Sequence, residues 1–114
     1  MIDTNDLLGK AKASQDPAVL DQVYAGLSKF SWPYIQQVLL ELVANSSTSF
    51  ETLHSIYARL LATKNSKLDG WDEVALALAK CDGMSRNDLI EISEGSLGVD
   101  YMPHAHITLS KLRK

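Results

Sequence analysis

Apolar residues recur in this chain at two nested spacings, and the longer of the two most constrains the fold. Within each stretch they fall at i, i+3, i+4 and i+7, the period that places them on one face of a helix. Between stretches the pattern returns after 33 and then 36 residues: Leu20, Leu53 and Leu89 correspond, as do Val23, Ile56 and Ile92, and Tyr24 matches Tyr57. An intervening set agrees at an offset of 36, pairing Val38 with Val74, Leu40 with Leu76 and Leu42 with Leu78, and leads into Ser49 and Ser85, residues suited to cap the next helix. One helical hairpin cannot hide its own apolar stripe, so units of this kind stack and share a core, with about three as the usual minimum. The 114 residues have room for three.

Start and stop signals divide the chain accordingly. Asp16 and Pro17 open a helix carrying Leu20, Val23, Tyr24 and Leu27, with Asp as N-cap and Pro at the first helical position. A second opens at Ser31 with Pro33 in its first turn and carries Ile35, Val38, Leu39, Leu42 and Val43. Only Phe30 and Ser31 separate these two, which makes them an antiparallel hairpin. Leu53, Ile56, Tyr57, Leu60 and Leu61 mark a third, headed by the capping-box pattern of Thr48 and Glu51. After a polar loop at 63–70, Trp71, Val74, Ala77, Leu78 and Cys81 give a fourth, stopped near Asp82 and Gly83, where glycine supplies a left-handed terminus. Ser85 and Asp88 start a fifth through Leu89 and Ile92, ending at Gly95 or Gly98. Pro103 opens a last helix through Ile107, Leu109 and Leu112, preferred over an edge strand, whose signal is the alternation of His104 and His106 with Ala105 and Ile107. Leu7, Leu8 and Ala11 indicate a short helix at the N-terminus. The expected class is all-α in a single domain over 1–114, and only six Gly and three Pro fit that better than many short strands.

Residues 42–56, LVANSSTSFETLHSI, and their second copy at 78–92, LAKCDGMSRNDLIEI, resemble the helix-turn-helix junctions of α-helical solenoids, particularly the leucine-rich-repeat-variant and HEAT-like families. The repeat unit is longer than the leucine-rich variant's, and Ser46 stands where that pattern often has proline. The iron–sulfur segment attached to some of those proteins has no counterpart. What the resemblance implies is a short right-handed α-α superhelix of about three helical hairpins with a binding surface, and no catalytic residue is carried over.

Several chemistries are disfavoured. The single cysteine, Cys81, cannot close a disulfide or supply a thiolate metal cluster within one chain. A polar, acidic start (Met1, Ile2, Asp3) and the lack of about 18 consecutive apolar residues point to a cytoplasmic protein with no membrane role. A net charge of −3 opposes nonspecific nucleic-acid binding, which needs an electropositive face. His104 and His106 at i, i+2 point to different sides of a helix, and no GxSxG, HExxH, P-loop or dinucleotide pattern is present, so no metal, cofactor or catalytic residue is assigned. A competing class, a small metal-dependent or acid/base enzyme, would draw on Asp72, Glu73, Glu91 and His104 or His106.

Charge is segregated along the chain. Residues 69–100 hold eight acids and two bases, net −6, while the remainder holds six acids and nine bases, net +3. Such a contrast steers a basic partner toward the second half. The expected function is therefore a non-enzymatic protein–protein interaction module, with Asp72, Glu73, Asp88, Glu91, Glu94 and Asp100 as an acidic helical face and Trp71 beside them as either a partner contact or a core anchor. A sharper alternative is a bacterial immunity protein that neutralises a basic toxin.

Overall fold

The computed structural model describes residues 4–66 and 68–112, and among them every regular element is helical. Residues 1–3, on which the reading of a leaderless start rests, and Lys67 of the polar loop lie outside the described residues. Seven α-helices follow in order: α1 (Thr4–Ala13), α2 (Pro17–Ala25), α3 (Trp32–Ala44), α4 (Phe50–Thr63), α5 (Trp71–Ala79), α6 (Arg86–Ser93) and α7 (Met102–Leu112). Short 3-10 turns at Gly26–Lys29 and Val99–Tyr101 lead into α3 and α7.

Local chemistry sets the boundaries. The Asp16 carboxylate accepts from Ala18 N at 3.0 Å with Pro17 behind it, which satisfies one of the four free N–H groups at the start of α2. Ser85 caps α6 in the same way, accepting from Asp88 N at 3.2 Å. The cap of α4 is Ser49, accepting from Thr52 N at 3.2 Å, and not the expected Thr48. Thr48 is buried and turns back to donate to Leu42 O at 2.7 Å, closing the end of α3. The expected left-handed Gly83 is also corrected. Helix α5 ends through Lys80 in a right-handed conformation, and the positive φ angles fall at Gly70, Gly95 and Gly98. A Cβ at Gly83 would meet Leu53 of α4 at 3.4 Å, an ordinary contact, so neither backbone conformation nor space reserves the position for glycine. Residues 102–112 form a helix, burying Ala105 and Thr108 between α5 and α6, and the edge-strand alternative is set aside.

The helices pack in two rows. Helices α1, α3, α5 and α7 lie side by side in one, and α2, α4 and α6 form the other. Side-chain bonds between equivalent ends show that each row runs parallel. At the C-terminal ends of the first row, Asn45 Nδ2 donates to Ala11 O and Ser14 O (2.8 Å each), Cys81 Sγ to Val43 O (3.6 Å) and Thr108 Oγ1 to Ala79 O (2.6 Å). At the N-terminal ends, Trp32 Nε1 donates to Asp69 O at 2.6 Å. In the second row, Tyr24 donates to Ser55 O at 3.1 Å, and the Asp21 carboxylate accepts from Thr52 and Ser49. The bonds to Ala11 O, Ser14 O, Val43 O and Ala79 O satisfy carbonyls at or just past helix ends, where no intrahelical partner is left.

The apolar stripes meet between the rows in one continuous core. Leu20, Leu53, Leu89, Val23, Ile56 and Ile92 are all buried, as are Val38, Val74, Leu42 and Leu78, while Leu40 and Leu76 are both half-buried. The Cα extents of 43 × 33 × 16 Å describe a slab two helices thick, as expected when packed helix axes lie about 8–10 Å apart. Two long edges result. One carries the connections at 26–31, 63–70 and 94–101, and the other those at 14–16, 45–49 and 80–85.

Candidate functional site

The 63–70 and 94–101 connections lie against each other at the edge where α4 and α6 end and α5 and α7 begin. Lys64 Nζ reaches across to donate to Ser96 O at 3.3 Å. Gly95 (φ +99°) and Gly98 (φ +133°) let the second connection fold back tightly, with Gly98 N on Gly95 O and Tyr101 N on Gly98 O. Between them is an open cleft of about 430 Å³, lined by Lys64, Asn65, Asp72, Leu97, Val99 and Asp100 among others. Asp69, Asp72, Glu73, Glu94 and Asp100 are all exposed on this edge. Asp72 and Glu73 occupy the first turn of α5, where the positive end of the helix dipole favours carboxylates, so the fold tolerates their density.

Buried aromatics hold the edge in shape. Trp71 is only 7% exposed, donates from Nε1 toward Leu60 O (3.3 Å) and Thr63 Oγ1 (3.2 Å), and meets the Tyr101 ring edge-on at 6.0 Å. It forms the floor of the edge. The Tyr101 hydroxyl donates to Asp72 Oδ1 at 2.7 Å, and burial together with the neighbouring Asp72 raises its pKa. The Tyr57 hydroxyl donates to Glu91 Oε1 at 2.8 Å and lies 2.6 Å from Ser96 Oγ; burial is the main cause that pushes its pKa up to about 12. Both phenols stay neutral at physiological pH and act as positioning donors.

Of the residues singled out from sequence, Asp72, Glu73, Glu94 and Asp100 come together on this edge, with Glu91 one turn back along α6 and tied to Tyr57. Asp88 does not join them. It is 4% exposed and points to α4, where both carboxylate oxygens meet His54 Nδ1, at 3.0 and 2.8 Å. Sequence reasoning passed over Asp69, Lys64 and Tyr101 as site residues, and it missed the His54 bridge. For Tyr57 the recurrence of tyrosine after Tyr24 was a usable signal, since both hydroxyls cross to the next helical unit.

The competing enzyme reading draws on Asp72, Glu73, Glu91 and His104 or His106. Asp72 is engaged by Tyr101 and Glu91 by Tyr57, while His104 and His106 lie on α7. Among the described residues no group of three or more His, Cys, Asp or Glu is placed to hold a metal ion. Cys81 sits on the opposite edge in a cleft of about 310 Å³ between α3 and α5, where burial pushes its thiol pKa up and keeps it protonated. No helix among the described residues is long and apolar enough to cross a membrane.

Comparison with protein-family models, curated proteins and solved structures finds no match to this chain.

Proposed function

We propose that this protein is a non-enzymatic interaction module, a stack of about three helical hairpins that presents its acidic edge to a basic partner protein. One observation carries the reading: Asp72 and Asp100 line one open cleft whose lysine, Lys64, is engaged with a backbone carbonyl, and Asp69, Glu73 and Glu94 are exposed on the same edge. Carboxylates sharing one edge repel one another, and a cationic partner relieves that repulsion while being steered to the site. The stacked-hairpin part draws support from the shared burial of positions 33 to 36 residues apart and from the matching caps of Ser49 and Ser85.

Asp69, Glu94 and Asp100 are exposed and suited to reversal, whereas Asp88 is buried and would disturb the fold. The triple variant Asp69→Lys, Glu94→Lys, Asp100→Lys should retain its helical circular dichroism and lose its basic partners in affinity capture from the native host. With a purified partner at low salt, association should slow at least about tenfold and become insensitive to salt. Equal capture and equal association rates for parent and variant at low salt would overturn the reading.

A further inference from the structure

We infer that the acidic edge also docks onto a second copy of this chain, in a groove between α6 and α7 that carries the opposite charge. The inference rests on the edge being a contact surface and names one partner for it. The groove, about 450 Å³, is lined by Arg86, Ile90, His106, Leu109 and Ser110, with an apolar floor, a guanidinium, an imidazole and no carboxylate. Next to His106 in α7, Ile107 is 57% exposed, and Met102–Leu112 contains one base, Lys111, and no acid. On the acidic edge the matching feature is Val99, 76% exposed at the tip of the 94–101 connection and followed by Asp100.

An exposed apolar knob followed by a carboxylate and an apolar groove rimmed by a guanidinium are complementary in polarity and charge. Burying Val99 against Ile90, Leu109 and Ile107 removes apolar surface from water at both sites, while Asp100 meets Arg86. The two surfaces lie at opposite ends of the α6–α7 hairpin. Helix α6, eight residues long, separates them by roughly 12 Å, so one copy can use both at once. Because the patches differ, the contact is head-to-tail and adds copies in a ring or a filament.

Sedimentation velocity at low salt should show the average mass rising from 12.6 kDa to at least twice that value between micromolar and millimolar protein, and falling back in 0.5 M salt. A groove variant (Arg86→Glu with Ile107→Asp) and an edge variant (Val99→Lys with Asp100→Lys) should each stay monomeric. Mixed in equal amounts, they should form a 1:1 dimer, because the intact edge of one meets the intact groove of the other. Arg86→Glu alone, at an exposed helix start, serves if the double groove variant loses helical signal. A parent that stays monomeric throughout, or a mixture that stays monomeric, overturns the inference and leaves the edge free to bind another basic protein. If the parent self-associates and the edge variant does so equally, the edge is not the contact, and capture of external partners decides its role separately.

Discussion

Tyr57 shows how one side chain can serve the core and the rim together. Its ring is buried between the rows, while its hydroxyl reaches the rim to hold Glu91 and Ser96. A phenol whose folded pKa is raised binds its proton more tightly in the native state than in the unfolded one. The stability it contributes is therefore complete below about pH 10 and is lost as the pH rises toward about 12. Tyr57→Phe should cost about 1 kcal/mol at pH 8 by urea denaturation, the worth of a typical buried hydrogen bond, and should flatten the alkaline decline. An unchanged decline between pH 10 and 12 would assign it to Tyr101 instead. At this scale the sequence was only partly legible. Trp71, read as either a core anchor or a partner contact, is buried, and so is Asp88, read as part of the acidic face, because the direction of a side chain near a helix start depends on which neighbour packs there. Asp88 is the third residue of α6, and the α4–α6 contact turns it inward onto His54.

Helix starts were the most legible elements, since an N-cap is a local transaction between one side chain and N–H groups two or three residues on. Asp16 and Ser85 cap through their side chains at the boundaries their sequence predicts, and Ser31 falls at its predicted boundary without a side-chain cap bond. The slip from Thr48 to Ser49 has a tertiary cause. Adjacent hydroxyls offer two caps, and the deciding interaction is the bond from Thr48 to Leu42 O six residues back, which no capping pattern encodes. Helix ends were harder to place, because α5 closes with Cys81 N on Leu78 O in 3-10 fashion and so makes no use of Gly83. Ser85→Ala should cost about 1 kcal/mol and fray the first turn of α6. Thermal denaturation checks the magnitude, and hydrogen exchange at Asp88 N, the amide that Ser85 Oγ accepts from, checks the place. A loss of protection confined to α7 would contradict the assignment.

At the scale of the whole molecule, the helices whose apolar residues correspond at 33 to 36 residues, α2, α4 and α6 in one set and α3 and α5 in the other, lie in the same row. Charge was less legible. The −6 of residues 69–100 divides between an exposed edge, Asp82 on the opposite edge, the Tyr57-bound Glu91 on α6 and the buried Asp88, a partition that depends on helix rotation and chain path. If the molecule behaves as a stack, each helix is stabilised mainly by its immediate neighbours, and damage at one end should stay there. Asn45 provides the test. Its amide holds the end of α1 through two 2.8 Å bonds, to Ala11 O and Ser14 O, and its carbonyl side accepts from Ser47 N at 2.9 Å. Asn45→Ala leaves two helix-terminal carbonyls without a partner, at a cost of about 1–3 kcal/mol. Native-state hydrogen exchange should then show α1 and the start of α2 losing protection by about tenfold or more, with α6 and α7 unchanged. Protection falling equally in all seven helices would mean that the chain unfolds as one cooperative globule, and the stacked-hairpin description would have to be given up.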